Sequence, residues 1–194
     1  MLQLWLFQHG ETPWSLSGQH TGRTDVPLTP RGEKQAEIRA RRIAGKRLAR
    51  VFTSPLSRAR ENRRRSGHIA EAQVDRDLLE WDYGSFEGRA TADIRMETAR
   101  WNMWTGALPG GETAEPVGAR SDRVIARASA FDGDVALFAR GHVRRALAAR
   151  WLKLPAVGGR YLALDTASLS TLGHEHELPV IQSWNESYDL VEAP

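Results

Sequence analysis

Three times along this chain a short apolar run is followed by a polar turn and then by a segment with helical spacing, an order that restricts the fold more than any other feature. The first run is Leu2, Leu4 and Leu6 with Trp5 and Phe7, ending at Gln8. A polar, glycine-containing loop from His9 to Thr24 follows, and Thr29-Pro30 then supplies an N-cap and a first-turn proline for an amphipathic helix reaching Gly45. Val51-Phe52-Thr53, the turn Ser54-Pro55-Leu56 and a helix from Ser57 to Ser66, stopped at Gly67, repeat the unit. Asp134 to Ala139 and the helix from His142 to Leu152 repeat it again. Strands this apolar are buried on both faces, and right-handed crossovers place helices on each side. The pattern therefore predicts an α/β fold, a three-layer αβα sandwich around a mostly parallel central sheet.

The remaining segments complete a single domain over residues 1–194. A short strand is expected near Gln73-Val74, a helix from Glu115 to Ala130, and a terminal hairpin pairing Ser168–Leu172 with Val180–Trp184 and turning between His174 and Pro179. Thr91 to Trp104 has helical spacing that would put Trp101 and Trp104 on one packing face, and Pro109-Gly110-Gly111 breaks it. Residues 80–115 thus read as an insertion or lid carrying part of a site. With 41% hydrophobic residues and seven Trp the chain has ample material for a core.

The absence of Cys excludes a disulfide framework, a thiol nucleophile and thiolate metal ligation. With no secretory leader or membrane-length apolar run, a cytoplasmic protein is expected, with no membrane partner. Nucleic acid is not an expected partner either. The 27 Lys+Arg nearly balance 24 Asp+Glu, and the densest basic spot, Arg63-Arg64-Arg65, reads as a solvated helix face. His174 and His176 would share a strand face, but no third ligand is placed with them, so no metal site is expected.

If the three strands are neighbours, their carboxyl ends bring His9, Arg58 and Arg140 to one edge of the sheet, which is a recipe for an anion pocket. The residues around these positions resemble the ordered motifs of the histidine phosphatase (phosphoglycerate-mutase-like) superfamily. They are Leu6-Phe7-Gln8-His9-Gly10-Glu11-Thr12, Ser54-Pro55-Leu56-Ser57-Arg58-Ala59, Glu80 through Gly88, and Arg140-Gly141-His142-Val143-Arg144-Arg145. Trp14 through Asp25, Trp81-Asp82-Tyr83-Gly84 and Pro109-Gly110-Gly111-Glu112 are similar to a branch that includes sedoheptulose-bisphosphatase-like sugar phosphatases.

The resemblance implies phosphoryl transfer through a phosphohistidine at His9, without metal, nucleotide or other cofactor. Arg58 would clamp the phosphoryl oxygens, aided by His20, Thr21 and Gly22. Glu80 would protonate the leaving oxygen and then deprotonate water. The ligand would be a small anionic metabolite, a phosphate or carboxylate, and a homodimer is compatible with this reading.

Two departures from the motifs fall on the catalytic quartet. Gln8 stands where the family has Arg, and Arg140 stands where it has a second His. Gln8 keeps a hydrogen-bond donor and loses a charge, a change of the kind that costs about 10² to 10³ in rate. Arg140 restores charge at the substrate-binding edge but cannot act as a neutral base. His142, two residues on, is a candidate replacement, and Arg144 occupies a position that is usually apolar. Three functions follow: a phosphomonoesterase with an altered phosphate pocket, a repurposed enzyme using His9 and Glu80 for acid–base chemistry, and a noncatalytic phosphometabolite-binding protein.

Overall fold

The computed structural model describes residues 2–42, 45–55 and 72–187. Among these residues the sheet has six strands, β1 (Leu4–Gln8), β2 (Leu48–Thr53), β3 (Gln73–Val74), β4 (Asp134–Ala139), β5 (Leu169–Glu175) and β6 (Leu178–Glu186), in the order β3-β2-β4-β1-β5-β6. β3, β2, β4 and β1 run parallel, and β5 is antiparallel to both β1 and β6. The expected α/β architecture with a mostly parallel sheet is thus present, closed at one side by the C-terminal hairpin. Alternate residues of β1 and β4 feed two cores. Leu4, Leu6, Val135 and Leu137 pack with the tryptophan-rich side, while Phe7, Ala136 and Phe138 form a smaller cluster in which Phe7 stacks on Phe138 at 4.6 Å.

The described helices are α1 (Pro13–Ser17), α2 (Pro30–Arg42), α3 (Thr91–Glu97), α4 (Ala114–Ser129) and α5 (Gly141–Trp151). Thr29 caps α2 as the sequence suggests, its Oγ1 accepting from Gly32 N at 3.0 Å. α1 interrupts what the sequence presents as an irregular loop. Thr12 and Ser15 form a reciprocal capping box, Pro13 opens the helix, and Gly18 closes it with φ 74°. The helix expected over Thr91–Trp104 stops at Glu97, where Thr98 is extended at φ −130° and Arg100 takes φ 62°; beyond it the Asn102 side chain accepts from the amides of Trp104 and Thr105 and draws that stretch into a turn. Trp101 and Trp104 are nonetheless buried in the large core.

The hairpin turns on His176 and Glu177, with Glu175 opposite Leu178 and His176 at φ 54°. His174 and His176 therefore do not share a strand face, and His174 sets its ring edge on Trp151 at 5.0 Å. The helix expected at Ser57–Ser66, together with Arg58 and the Arg63–Arg65 run, lies outside the described residues. Among the described residues no helix is long and apolar enough to cross a membrane.

Candidate active site

Pairing of Gln8 with Ala139, and of Thr53 with Phe138, aligns the carboxyl ends of β1, β4 and β2. His9 and Arg140 are the residues that leave the first two of those ends. A cavity of about 400 Å³ opens there, walled by Gln8, His9, His20, Thr21, Glu80, Tyr83, Arg140 and His142, with Trp14, Thr91 and Thr166 around them. Every expected site residue that the structure describes lines this cavity except Gly22. A second hollow of about 370 Å³, between α4 and Pro155–Val157, is lined by Glu115 and the paired Asp122 and Arg150, with no histidine among the described residues that line it.

The His9 side chain is buried, and its Nδ1 lies 2.7 Å from the Gly10 carbonyl oxygen. A carbonyl only accepts, so Nδ1 carries the proton and the lone pair of the neutral ring resides on Nε2. Gly10 itself packs so closely on the start of α2 that a side chain there would stand 2.1 Å from the Gly32 carbonyl oxygen. The backbone presenting His9 is held by that contact and by Ala167 N donating to the His9 carbonyl at 2.8 Å.

Glu80 reaches the same cavity from the segment before α3. Its Oε1 accepts from Trp81 N at 2.8 Å and Val143 N at 2.9 Å, and its Oε2 accepts from His142 N at 3.1 Å. The carboxylate thus caps the first turn of α5 from a remote part of the chain. Burial pushes its pKa up, while the three backbone donors and the Arg120 charge push back without cancelling the rise. A carboxyl group that keeps its proton above the ordinary range is suited to give it to a leaving oxygen.

Arg140 is buried, with Nη1 donating to the Gly22 carbonyl at 2.8 Å. Its Nε, also buried, meets no acceptor among the described residues. Gly22 therefore acts as an anchor behind the wall. Its own amide donates to both oxygens of Glu87 at 2.9 Å, and a side chain there would collide with the Trp81 carbonyl at 2.6 Å. Thr21 stays on the cavity surface.

Three aromatic groups complete the wall. His142 Nδ1 is 2.6 Å from the Tyr83 hydroxyl. Burial raises the phenol pKa well above 10 and, with the nearby Arg145 and His20, lowers that of His142 well below 6.5. The protonated phenol donates, the neutral imidazole accepts, and His142 carries its proton on Nε2. His20 packs on Tyr83 at 4.9 Å and on the edge of Trp101 at 5.5 Å, with Nε2 3.1 Å from Thr91 Oγ1. Burial lowers its pKa too, against the pull of Glu87.

Tyr83, Thr91 and Thr166 were not singled out from sequence as site residues. Tyr83 sits within the Trp81–Gly84 motif, so a signal existed for it. Thr166 lies in the turn before β5 and carries none. Among the described residues no three His, Asp or Glu side chains converge as a metal site.

The model of the histidine phosphatase superfamily (branch 1) matches residues 4–187. An acid phosphatase of Mycobacterium tuberculosis is 38% identical over 178 residues, covering 90% of this chain and 87% of its own. A sedoheptulose 1,7-bisphosphatase of Saccharomyces cerevisiae is 34% identical over 184 residues, covering 77% and 67%. The solved structure of an open reading frame product from Mycobacterium tuberculosis superposes with a TM-score of 0.89 at 36% identity, covering 95% of this chain and 97% of that one.

Proposed function

Because the chain belongs to branch 1 of the histidine phosphatase superfamily, we propose that it is a phosphomonoesterase acting on a small, sugar-derived phosphate through His9 and Glu80. The observation that carries this reading is the pairing, in one cavity, of a histidine held by Gly10 as its Nδ1–H tautomer with a buried carboxyl group whose pKa is raised. Nε2 of His9 attacks phosphorus and forms the N–P bond as the P–O bond to the leaving group breaks. Glu80 gives its proton to the departing oxygen. A water then attacks the phosphohistidine, its proton passes to Glu80, and the N–P bond breaks to release phosphate. Charge on the equatorial oxygens is met by Arg140, the Gln8 amide and the Nε2–H of His142. Arg58 would add a further guanidinium.

The similarity to an acid phosphatase and to a sedoheptulose 1,7-bisphosphatase supports a phosphorylated metabolite as ligand. Gln8 and Arg140 favour turnover slower than that of a site with the full family motif, since a neutral amide and a permanently charged fork stand where an arginine and an imidazole would act. The same two residues motivate the second reading, in which His9 and Glu80 move protons on an anionic metabolite without releasing phosphate.

Rapid mixing with sugar monophosphates, followed by mass spectrometry under conditions that preserve acid-labile phosphate, tests the choice. A phosphoryl group on His9 with matching phosphate release is the expected result. Tight metabolite binding with no modified His9 and no phosphate across the panel would refute phosphatase turnover.

A further inference from the structure

Two of the departures from the family motifs, Gln8 and Arg144, stand 136 positions apart in the chain and touch in the fold. Arg144, near the start of α5, is completely buried. Its Nη1 donates to Gln8 Oε1 at 3.4 Å, and its Nη2 donates to the Leu6 carbonyl at 2.8 Å and to Ser170 Oγ at 3.3 Å. An amide has one accepting end and one donating end. With Oε1 turned to Arg144, the donating Nε2 lies beside Gly141. It lies 3.7 Å from the point that a side chain on Gly141 would occupy, and Glu80 Oε2 lies 3.7 Å from that same point. An anion entering beside His9 thus meets a neutral N–H donor, with a guanidinium charge one side chain further back.

On the phosphomonoesterase reading above, we infer that Arg144 is a positioning residue for phosphate recognition. It fixes the orientation of the Gln8 amide so that Nε2 donates to a phosphoryl oxygen, and the Gln8–Arg144 pair replaces the single arginine that the family motif has at position 8. The two positions are coupled, because an arginine at position 8 would press a second guanidinium against a buried one.

The test is a double-mutant cycle on the affinity for inorganic phosphate, measured by calorimetry with the full chain. Arg144→Met is expected to weaken phosphate about tenfold when residue 8 is Gln, the worth of roughly one misdirected hydrogen bond, and to have little further effect in a Gln8→Ala background. Equal losses in both backgrounds would overturn the assignment. Gln8→Glu keeps the acceptor for Arg144 and removes the donor, so it should hold or raise the melting temperature while phosphate affinity falls at least about tenfold. This variant carries the test if Arg144→Met does not fold, and phosphate binding by Gln8→Glu equal to wild type overturns the proposal. Phosphate release from a sugar monophosphate, followed in parallel, separates the two readings. Intact phosphate binding and an intact cycle without turnover refute the phosphomonoesterase and leave the Arg144 assignment standing, whereas a wild-type protein that binds no phosphate overturns both.

Discussion

Among the described residues, the histidines occupy two neighbourhoods at different places on the sheet. At the carboxyl ends of β1 and β4, His9, His20 and His142 each have a ring nitrogen committed to the Gly10 carbonyl, the Thr91 hydroxyl or the Tyr83 hydroxyl, and all three line one cavity. At the β5–β6 hairpin, His174 packs its ring against Trp151 and His176 sits on a turn at φ 54°. The residue type is the same, and the difference lies in what the fold presents to the imidazole. A strand end facing a helix N-terminus supplies fixed backbone and side-chain partners around a hollow, whereas a hairpin tip supplies a packing surface and a sharp turn.

The largest test of that contrast is His9→Ala, which should lower phosphate release by at least about 10³-fold with the fold retained, measured by single-turnover kinetics beside a melting curve. Glu80→Gln should cost about 10² to 10⁴-fold and also change the pH profile. Since burial raises the Glu80 pKa, its acid form persists above the ordinary value of 4.5 and activity declines as pH rises through the raised value. The Gln variant should lack that limb.

His142→Gln should lower the rate about tenfold, and its clearest signature is in stability. The folded pKa of His142 lies below 6.5, so the unfolded chain binds more protons as pH drops past that value. The stability associated with the neutral ring is full above 6.5 and lost as pH falls from there toward the folded pKa. The decline in melting temperature below pH 6.5 should be shallower in the variant. An unchanged slope would remove His142 from the set of buried neutral imidazoles.

The hairpin changes are the smallest. His174→Ala should cost about 1 kcal/mol of stability through the lost ring contact, and His176→Gly should gain up to about 1 kcal/mol by relieving the left-handed backbone, both with phosphate release unaltered.

Legibility differed in the same way across the molecule. Leu4 to Gln8, Asp134 to Ala139 and Thr29-Pro30 announce their elements because period, capping and proline placement are short-range signals. The helix expected over Thr91–Trp104 ends early because the backbone leaves the helical region at Thr98 and Arg100, with Asn102 then taking the amides of Trp104 and Thr105, features that helical spacing alone does not reveal. Of the site, His9, Glu80 and Arg140 were legible through their positions in ordered motifs. Tyr83 was visible only as part of a motif without a role, and Gly22, expected to help hold phosphate, accepts from Arg140 through its carbonyl.

The amino-acid order alone determined the alternation of strand and helix, and with it the placing of His9 and Arg140 just past the ends of apolar runs, because those features depend on neighbours a few residues away. Only the tertiary structure decided the tautomers of His9 and His142, the capping of α5 by Glu80, and the contact between Gln8 and Arg144. Protonation and amide orientation follow from which donor or acceptor lies within hydrogen-bond reach, and apart from the Gly10 carbonyl beside His9 those partners come from remote segments that meet only when the sheet is assembled.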